Sequence, residues 1–169
     1  MAIGRCTYCV IAGLSLIHIG YASAQIPQIE RSALIALYDS TDGNNWNEKA
    51  NWLGPAGAEC TWFGVVCSGG SVHILSLYSN NLNGSIPPEL GNLTSLRTLS
   101  LGDNQLSGSI PSELGYLTNL EFLRMQSNQL SGAIPVEIAN LAGLCDGSSD
   151  SPCWCVCANT EGCIACSRL

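Results

Sequence analysis

Residues 80–93 read NNLNGSIPPELGNL, residues 104–117 read NQLSGSIPSELGYL and residues 128–141 read NQLSGAIPVEIANL. The three stretches are nearly identical and start 24 residues apart. Each mixes apolar side chains with Asn, Gly and Pro, so none is typical of a plain helix or a plain strand. A fixed period of this length predicts a repeat architecture in which consecutive copies stack on one another.

Apolar residues recur at fixed positions of the repeat, which begins eight residues before each quoted stretch. Two of these positions alternate as LxL, so their side chains share one face of a short strand. One copy cannot bury that face by itself, so neighbouring copies must cover it. The matching sets are Val72, Leu96 and Leu120; Leu75, Leu99 and Leu123; Leu77, Leu101 and Met125; Leu82, Leu106 and Leu130; and Ile86, Ile110 and Ile134.

Three further positions carry turn-forming residues, which are Asn80, Gly84 and Pro87 in the first copy. The Asn amide both donates and accepts, so we expect it to bond backbone groups in the turn and to stack copy on copy. The Gly permits a backbone conformation closed to other residues. The Pro fixes the turn that leaves the strand side.

The full pattern LxxLxLxxNxLxGxIPxxLGxL over residues 72–143 resembles the plant-type leucine-rich repeat. The resemblance implies an α/β right-handed solenoid of three 24-residue repeats, with one short strand per repeat on the concave side. Proteins with such repeats include the ectodomains of plant receptor kinases and the polygalacturonase inhibitors. That likeness implies a non-enzymatic module that binds a protein or peptide, in defence or signalling.

The segment before the repeats resembles the N-terminal cap of the same family. Residues 27–40, PQIERSALIALYDS, predict an amphipathic helix with Leu34, Leu37 and Tyr38 on one face. Glu30 favours the positive end of its dipole. Trp46 and Trp52 follow and are available to cover the first repeat. The stretch CTWFGVVC matches the cap motif CxWxGVxC, which implies a disulfide between Cys60 and Cys67 and leaves Phe63 and Val66 at variable positions.

The first 24 residues predict a secretory signal peptide. Arg5 precedes an apolar run that ends at Ala22-Ser23-Ala24, the small-x-small pattern of a cleavage site. An uncleaved membrane anchor is the alternative, but the run is short for a span that needs about 20 residues. No later segment is apolar enough to cross a membrane, so we expect a secreted chain with no membrane insertion after signal removal.

Removal of the signal peptide leaves eight of the ten cysteines, an even number that predicts disulfides in an exported protein. Two belong to the cap, and the tail holds Cys145, Cys153, Cys155, Cys157, Cys163 and Cys166. The family's usual C-terminal cap has fewer, differently spaced cysteines. The tail is interpreted as a disulfide-knitted cap over the third repeat; a thiolate metal site and a frameshifted or truncated product are the alternatives. The segments are thus a signal peptide at 1–24, a cap at 25–71, repeats at 72–143 and a Cys-rich tail at 144–169.

The chain is acidic, with 13 Asp plus Glu against 6 Lys plus Arg, which argues against nucleic acid as a partner. The motifs GxSxG, HExxH and GxxxxGK[ST] are absent, so we expect no enzyme, no cofactor and no metal. His73 is expected to be an exposed strand residue. Glu89, Glu113 and Glu137 lie one repeat apart, as in a pair of glycosidase carboxylates, but their position after Ile-Pro favours short helical turns.

The side chains between the leucines are the predicted partner-binding residues on the concave side. Tyr, Phe and Arg among them are typical binding anchors. The set is Ile74, Ser76, Tyr78 and Ser79; Thr98, Ser100, Gly102 and Asp103; and Phe122, Arg124, Gln126 and Ser127. A solvated face without a partner and a truncated receptor ectodomain are alternatives. A structural, glycan-binding or ice-binding surface is a third, although the Ser76 and Ser100 ladder breaks at Arg124.

Two sequons, Asn83-Gly84-Ser85 and Asn92-Leu93-Thr94, predict N-glycosylation at Asn83 and Asn92 if the source is a eukaryote. The sequence leaves the ligand, the tail disulfide pairing and the oligomeric state open.

Overall fold

The structure is a computed structural model that describes residues 25–139 and residue 141. The predicted signal peptide and the Cys-rich tail lie outside the described residues. The helices of the described part are α1 (Gln28–Ser40), α2 (Val136–Ala139) and the 3₁₀ segments Gly43–Asn45, Glu59–Thr61, Pro88–Asn92 and Ser112–Tyr116. None of these helices is long and apolar enough to cross a bilayer. The strands are β1 (Val65–Ser68), β2 (Ser71–Ser76), β3 (Asn83–Ser85), β4 (Thr98–Ser100), β5 (Gln105–Gly108), β6 (Phe122–Arg124) and β7 (Gln129–Leu130).

The first sheet has the strand order β1-β2-β4-β6. Strands β2, β4 and β6 come from successive repeats and pair in parallel, so that Leu75, Leu99 and Leu123 are aligned. Strand β1 comes from the segment before the repeats and pairs antiparallel with β2. The sequence predicted the three repeat strands, whereas β1 was not predicted.

A second sheet has the order β3-β5-β7, and its strands are also parallel. The sequence predicted one strand per repeat on the concave side, and β2, β4 and β6 are these strands; the second strand of each repeat was not predicted. The chain becomes extended again after each Asn turn, and its backbone groups pair with the equivalent segment of the next copy. Gln105 N donates to Leu82 O at 2.8 Å, and Ser131 N donates to Gly108 O at 2.8 Å. Backbone pairing leaves little trace in the sequence, because it does not depend on side-chain type.

In the repeats the core lies between the two sheets and the helical turns, and it includes the recurring apolar residues. All five sets are buried, apart from the half-buried Ile134. Each fully buried leucine stabilises the fold by about 2 kcal/mol relative to an exposed one. The stacking predicted from the sequence therefore buries the apolar side chains of each repeat.

A ladder of asparagine side chains joins the repeats at the turn after each first-sheet strand. Asn104 Oδ1 accepts hydrogen bonds from Asn80 N and Leu82 N, each at 3.0 Å. Its Nδ2 donates to the carbonyls of Leu77 and Leu101, each at 2.9 Å. The amide of one repeat therefore satisfies backbone groups of the preceding repeat as well as its own, as the sequence predicted.

The ladder continues in both directions from Asn104. Asn128 Oδ1 accepts from Leu106 N at 2.9 Å, and its Nδ2 donates to Leu101 O at 2.9 Å. Asn80 Oδ1 accepts from Glu48 N at 2.6 Å, and its Nδ2 donates to Glu48 O at 2.8 Å. The segment before the repeats thus takes part in the ladder as a preceding copy would.

Helix α1 begins directly after Pro27 and buries Leu34, Leu37 and Tyr38, the face expected from its periodicity. Glu30 is also buried, and its carboxylate accepts a hydrogen bond from Val72 N at 2.8 Å. From the sequence, Glu30 was assigned only a helix-dipole role. Its acceptor function at the first residue of the first repeat was missed.

Tyr38 of α1 and three tryptophans form an aromatic cluster. Ring centroids are 5.1 Å apart for Tyr38 and Trp46, 4.8 Å for Trp46 and Trp52, and 4.9 Å for Trp52 and Trp62. Such pairs each add roughly 1 kcal/mol beyond the apolar area that they bury. The segment that carries the cluster reaches the first repeat through Asn47 N, which donates to Asn80 O at 3.1 Å.

Cys60 and Cys67 are joined by a disulfide, with Cα atoms 5.4 Å apart and a sequence separation of 7. For so short a loop, the bond restricts the unfolded chain by about 2 kcal/mol. We expect the Cys60→Ser, Cys67→Ser double variant to lose that much free energy of unfolding in urea titrations. Substitution isolates this bond better than a reductant, because six more cysteines lie in the tail. A double variant as stable as the wild type would contradict the expectation.

Candidate binding face

The sheet face is defined as the side of the β1-β2-β4-β6 sheet opposite the buried leucines. Because side chains alternate along a strand, residues on either side of Leu75, Leu99 and Leu123 lie on this face. The pairing register sorts the predicted binding residues into rows that run from one repeat to the next.

The first row crosses all four strands, and three of its four side chains are apolar. Val66 pairs with Ile74, Ile74 with Thr98, and Thr98 with Phe122. Val66 is 50% exposed, Phe122 is 37% exposed and Ile74 is half-buried. This row, called the apolar row below, has no ionisable side chain.

Val66 was not among the predicted binding residues, since the cap motif placed it at a variable position. It joins the sheet face only through the antiparallel pairing of β1 with β2. In the structure Val65 is buried and Val66 is exposed, but both residues are apolar, so the sequence of this stretch has no alternating pattern that would have indicated the strand.

The second row consists of Ser76, Ser100 and Arg124. Ser76 is half-buried and Arg124 is exposed, whereas Ser100 is only 5% exposed. The prediction of Ser100 as a binding residue is corrected for this reason. Its short side chain lies in the middle of the sheet, between two flanking strands, and offers almost no surface to a partner.

The third row lies just after the ends of the three strands and consists of Tyr78 and Ser79, Asp103, and Ser127. Hydrogen bonds between side chains of this row link the three repeats. The Tyr78 hydroxyl donates to the Asp103 carboxylate, and this bond raises the pKa of Tyr78. The same bond, together with a second one from Ser127, lowers the pKa of Asp103. The carboxylate is therefore ionised and engaged with the repeats on both sides of it.

The backbone at the third row has an unusual conformation that recurs once per repeat. Ser79, Asp103 and Ser127 have φ angles of 53°, 54° and 55°, in the left-handed region.

The half-buried Gln126 lies over Gly102, where an added Cβ atom would be 2.8 Å from Gln126 Nε2. The absence of a side chain at Gly102 thus makes room for the Gln126 amide.

The other titratable residues considered in the sequence do not belong to these three rows. His73 was expected to be exposed but is half-buried, with its Nδ1 3.2 Å from the Ser71 carbonyl oxygen. Glu89, Glu113 and Glu137 each lie in the first turn of a short helical segment, as the sequence predicted. Within residues 25–139 and 141, no cluster of three metal-ligating side chains occurs.

Two family models match the repeats. Residues 71–93 match the leucine-rich repeat model, and residues 94–140 match a model of two leucine-rich repeat copies. Over residues 71–140 the chain is therefore similar to leucine-rich-repeat proteins, and plant receptor-kinase ectodomains are among the structures that it resembles. The leucine-rich-repeat fold predicted from the sequence is thereby confirmed.

Several known proteins are similar to this chain, with sequence identities between 27% and 40%. A probable inactive receptor kinase of Arabidopsis thaliana, RLK902, is 40% identical over 72 residues, which are 41% of this chain and 10% of that kinase. The chain thus spans about a tenth of the length of the curated relatives it matches. A plant ice-binding protein has a TM-score of 0.62 at 27% identity, over 70% of this chain and 39% of that one. The leucine-rich-repeat ectodomain of the Arabidopsis receptor kinase HAESA, in complex with an IDA peptide hormone ligand, has a TM-score of 0.52 at 27% identity, over 68% and 19%.

Proposed function

We propose that the chain is an extracellular, non-enzymatic recognition module whose sheet face binds an extended peptide segment with apolar side chains. The observation that carries the proposal is the apolar row, in which exposed Val66 and Phe122 flank Ile74 and Thr98. Exposed apolar side chains aligned on a rigid sheet are a surface that gains free energy when a partner covers it.

The dimensions of the apolar row favour an extended segment. Neighbouring strands lie about 4.8 Å apart, so four strands span about 15 Å from first to last. An extended peptide advances about 3.3 Å per residue and would cross the row with about five residues. Arg124 and the Tyr78–Asp103 pair border the row and provide a polar rim beside the apolar centre.

The HAESA ectodomain supports this assignment, because a protein with similar repeats holds a peptide hormone. The proposal includes a role in signalling or defence outside the cell. It also includes the predicted organisation, with residues 25–71 capping the first repeat and the Cys-rich tail 144–169 closing the stack behind the third. The sequons and the signal peptide are in keeping with this location.

Replacing Phe122 with Ala is expected to weaken peptide binding by at least tenfold, because truncating an aromatic anchor costs about 2 kcal/mol. The probe is a set of peptides selected against the wild-type chain from a random display library, then synthesised and titrated by calorimetry. We expect the selected peptides to share bulky apolar residues. The matched control is Tyr116→Ala, since Tyr116 is 64% exposed on a helical turn away from the sheet face.

Equal affinities of the selected peptides for wild type and Phe122→Ala would refute binding at the apolar row. A loss caused by Tyr116→Ala instead would move the site to the helical turns. Circular dichroism of each variant shows whether it is folded before the titration is interpreted.

A second candidate is an ice-binding surface, favoured by the resemblance to a plant ice-binding protein. On the sheet face, the hydroxyl ladder of Ser76 and Ser100 is interrupted by Arg124, and Ser100 is buried. An ice recrystallisation assay distinguishes the two candidates. Inhibition at micromolar concentration that persists in Phe122→Ala would favour ice binding over peptide recognition.

A further inference from the structure

Strand β3 carries the sequon Asn83-Gly84-Ser85 in an exposed position. Asn83 and Ser85 are both exposed. Gly84 between them faces inward, because a Cβ atom added there would be 2.1 Å from the Ser40 carbonyl oxygen. Strand alternation therefore directs the Asn and Ser side chains of the sequon together into solvent. This is the arrangement that a modifying group on Asn83 requires.

The side chain of Asn83 makes no hydrogen bond within the described part of the chain, although its backbone N donates to Thr41 O at 3.0 Å. A substituent on Nδ2 would therefore break no hydrogen bond among those residues. Asn92 of the second sequon differs, since it is half-buried at the end of the helical segment Pro88–Asn92.

The segments that form the second sheet carry no charged side chains. They are residues 80–88, 104–112 and 128–136, and none of them is Asp, Glu, Lys or Arg. The exposed Asp42 borders the sheet next to Thr41, which accepts from Asn83 N, so the strands themselves are a neutral part of a chain with a net charge of −7. Without charge repulsion, an exposed sheet surface of this kind favours association between copies.

We propose that Asn83 carries an N-linked glycan that covers the outer side of the second sheet and keeps the chain monomeric. The proposal rests on the extracellular location proposed above. In the secretory pathway, Asn83 Nδ2 attacks the anomeric carbon of a lipid-diphosphate-linked oligosaccharide. The Nδ2–C1 bond forms, the C1–O bond to the diphosphate breaks, the lipid diphosphate leaves, and Nδ2 loses one proton to a base of the host transferase.

The test is expression of the full chain in a eukaryotic secretory host, once with its own first 24 residues and once with a heterologous leader in their place. Glycopeptide mass spectrometry locates the glycan. We expect modified Asn83 in the wild type and in the control Asn92→Gln, and no glycan at this sequon in Asn83→Gln or Ser85→Ala. Light scattering of the secreted proteins should show a monomer for the wild type and larger species for Asn83→Gln.

Unmodified Asn83 in chains exported by the heterologous leader would overturn the proposal. A glycan present with the heterologous leader and absent with the chain's own would support Asn83 as the acceptor, while refuting the extracellular location. If Asn83→Gln loses the glycan but remains monomeric, the covering role of the glycan is refuted.

Discussion

Replacing Asn104 with Ala is expected to lower the free energy of unfolding by about 3 kcal/mol or more. The Asn104 side chain makes five hydrogen bonds to backbone groups, two through Oδ1 and three through Nδ2. Alanine would leave Asn80 N, Leu82 N and Leu77 O without these partners in a half-buried turn. The other two groups keep a hydrogen bond, because Asn128 Nδ2 also donates to Leu101 O and Ser79 N donates to Gly102 O. Each buried backbone group that loses its partner costs about 1–3 kcal/mol, so even partial rescue by water leaves a large loss.

The neighbouring Gln105→Ala is the matched control for Asn104→Ala. Gln105 is exposed, and its amide makes one side-chain hydrogen bond, to Asn81 Oδ1 at 2.6 Å. Exposed substitutions of this kind change stability by about 0.5 kcal/mol or less. Urea unfolding followed by tryptophan fluorescence compares the two variants. Similar midpoints would show that the asparagine ladder does not stabilise the stack.

Replacing Glu59 with Ala is expected to cost about 3–5 kcal/mol, because it leaves a charged partner in a poorly solvated site. Glu59 is buried and pairs with Arg31, and it also accepts a hydrogen bond from Gly57 N at 3.0 Å. Arg31 Nη2 donates to Gly54 O at 2.8 Å, and its guanidinium carbon lies 5.2 Å from the Trp62 ring centroid. The pair thus ties α1 to the segment around the disulfide.

An exposed ion pair in the same chain provides the control for Glu59→Ala. Arg97 Nη1 lies 2.8 Å from Glu121 Oε1, and the two side chains are 58% and 48% exposed. Exposed pairs contribute at most about 1 kcal/mol, so Glu121→Ala should be nearly neutral. If the two variants were equally stable in urea, burial of the Arg31–Glu59 pair would have no energetic consequence.

The Arg31–Glu59 pair also predicts how stability depends on pH. Burial raises the pKa of Glu59, but hydrogen bonds from its own backbone N–H, from Arg31 and from Gly57 outweigh it, so the pKa is lower than usual. A lowered folded-state pKa gives stability that is present above the unfolded value of about 4.3 and is lost as the pH falls through the folded value. The stability difference between wild type and Glu59→Gln should therefore be larger at pH 7 than at pH 3. A difference that does not change with pH would contradict the account.

The parts of the fold that could be predicted from the sequence are those fixed by local periodicity. The leucine positions follow from a period of two within each strand and 24 between copies, and the Asn turn follows from the chemistry of its amide. The buried acceptor Glu30 could not be predicted, since its partner is a backbone N–H 42 residues away. Strand β1 depends likewise on a pairing between segments that the repeat pattern does not include.

The residues of the candidate binding face were likewise predicted only where local alternation decides their position. Alternation along β2, β4 and β6 was enough to assign Ile74, Thr98 and Phe122 to one side of the sheet. Val66 was not predicted to lie on the face, because its position depends on the register of β1. The exposure of Ser100 was overestimated, because its burial depends on the neighbouring strands. Side-chain direction is thus a local property, whereas exposure is a property of the assembled sheet.

The most direct test of peptide binding at the apolar row is photo-crosslinking with a selected peptide. One apolar residue of the peptide is replaced by a photoreactive aromatic residue, and the crosslinked sites are identified by mass spectrometry. The account predicts crosslinks to Val66, Ile74 or Phe122 that are lost when unlabelled peptide competes. Competable crosslinks confined to Tyr116 on the helical turns, or to Gln105 and Gln129 on the second sheet, would contradict it.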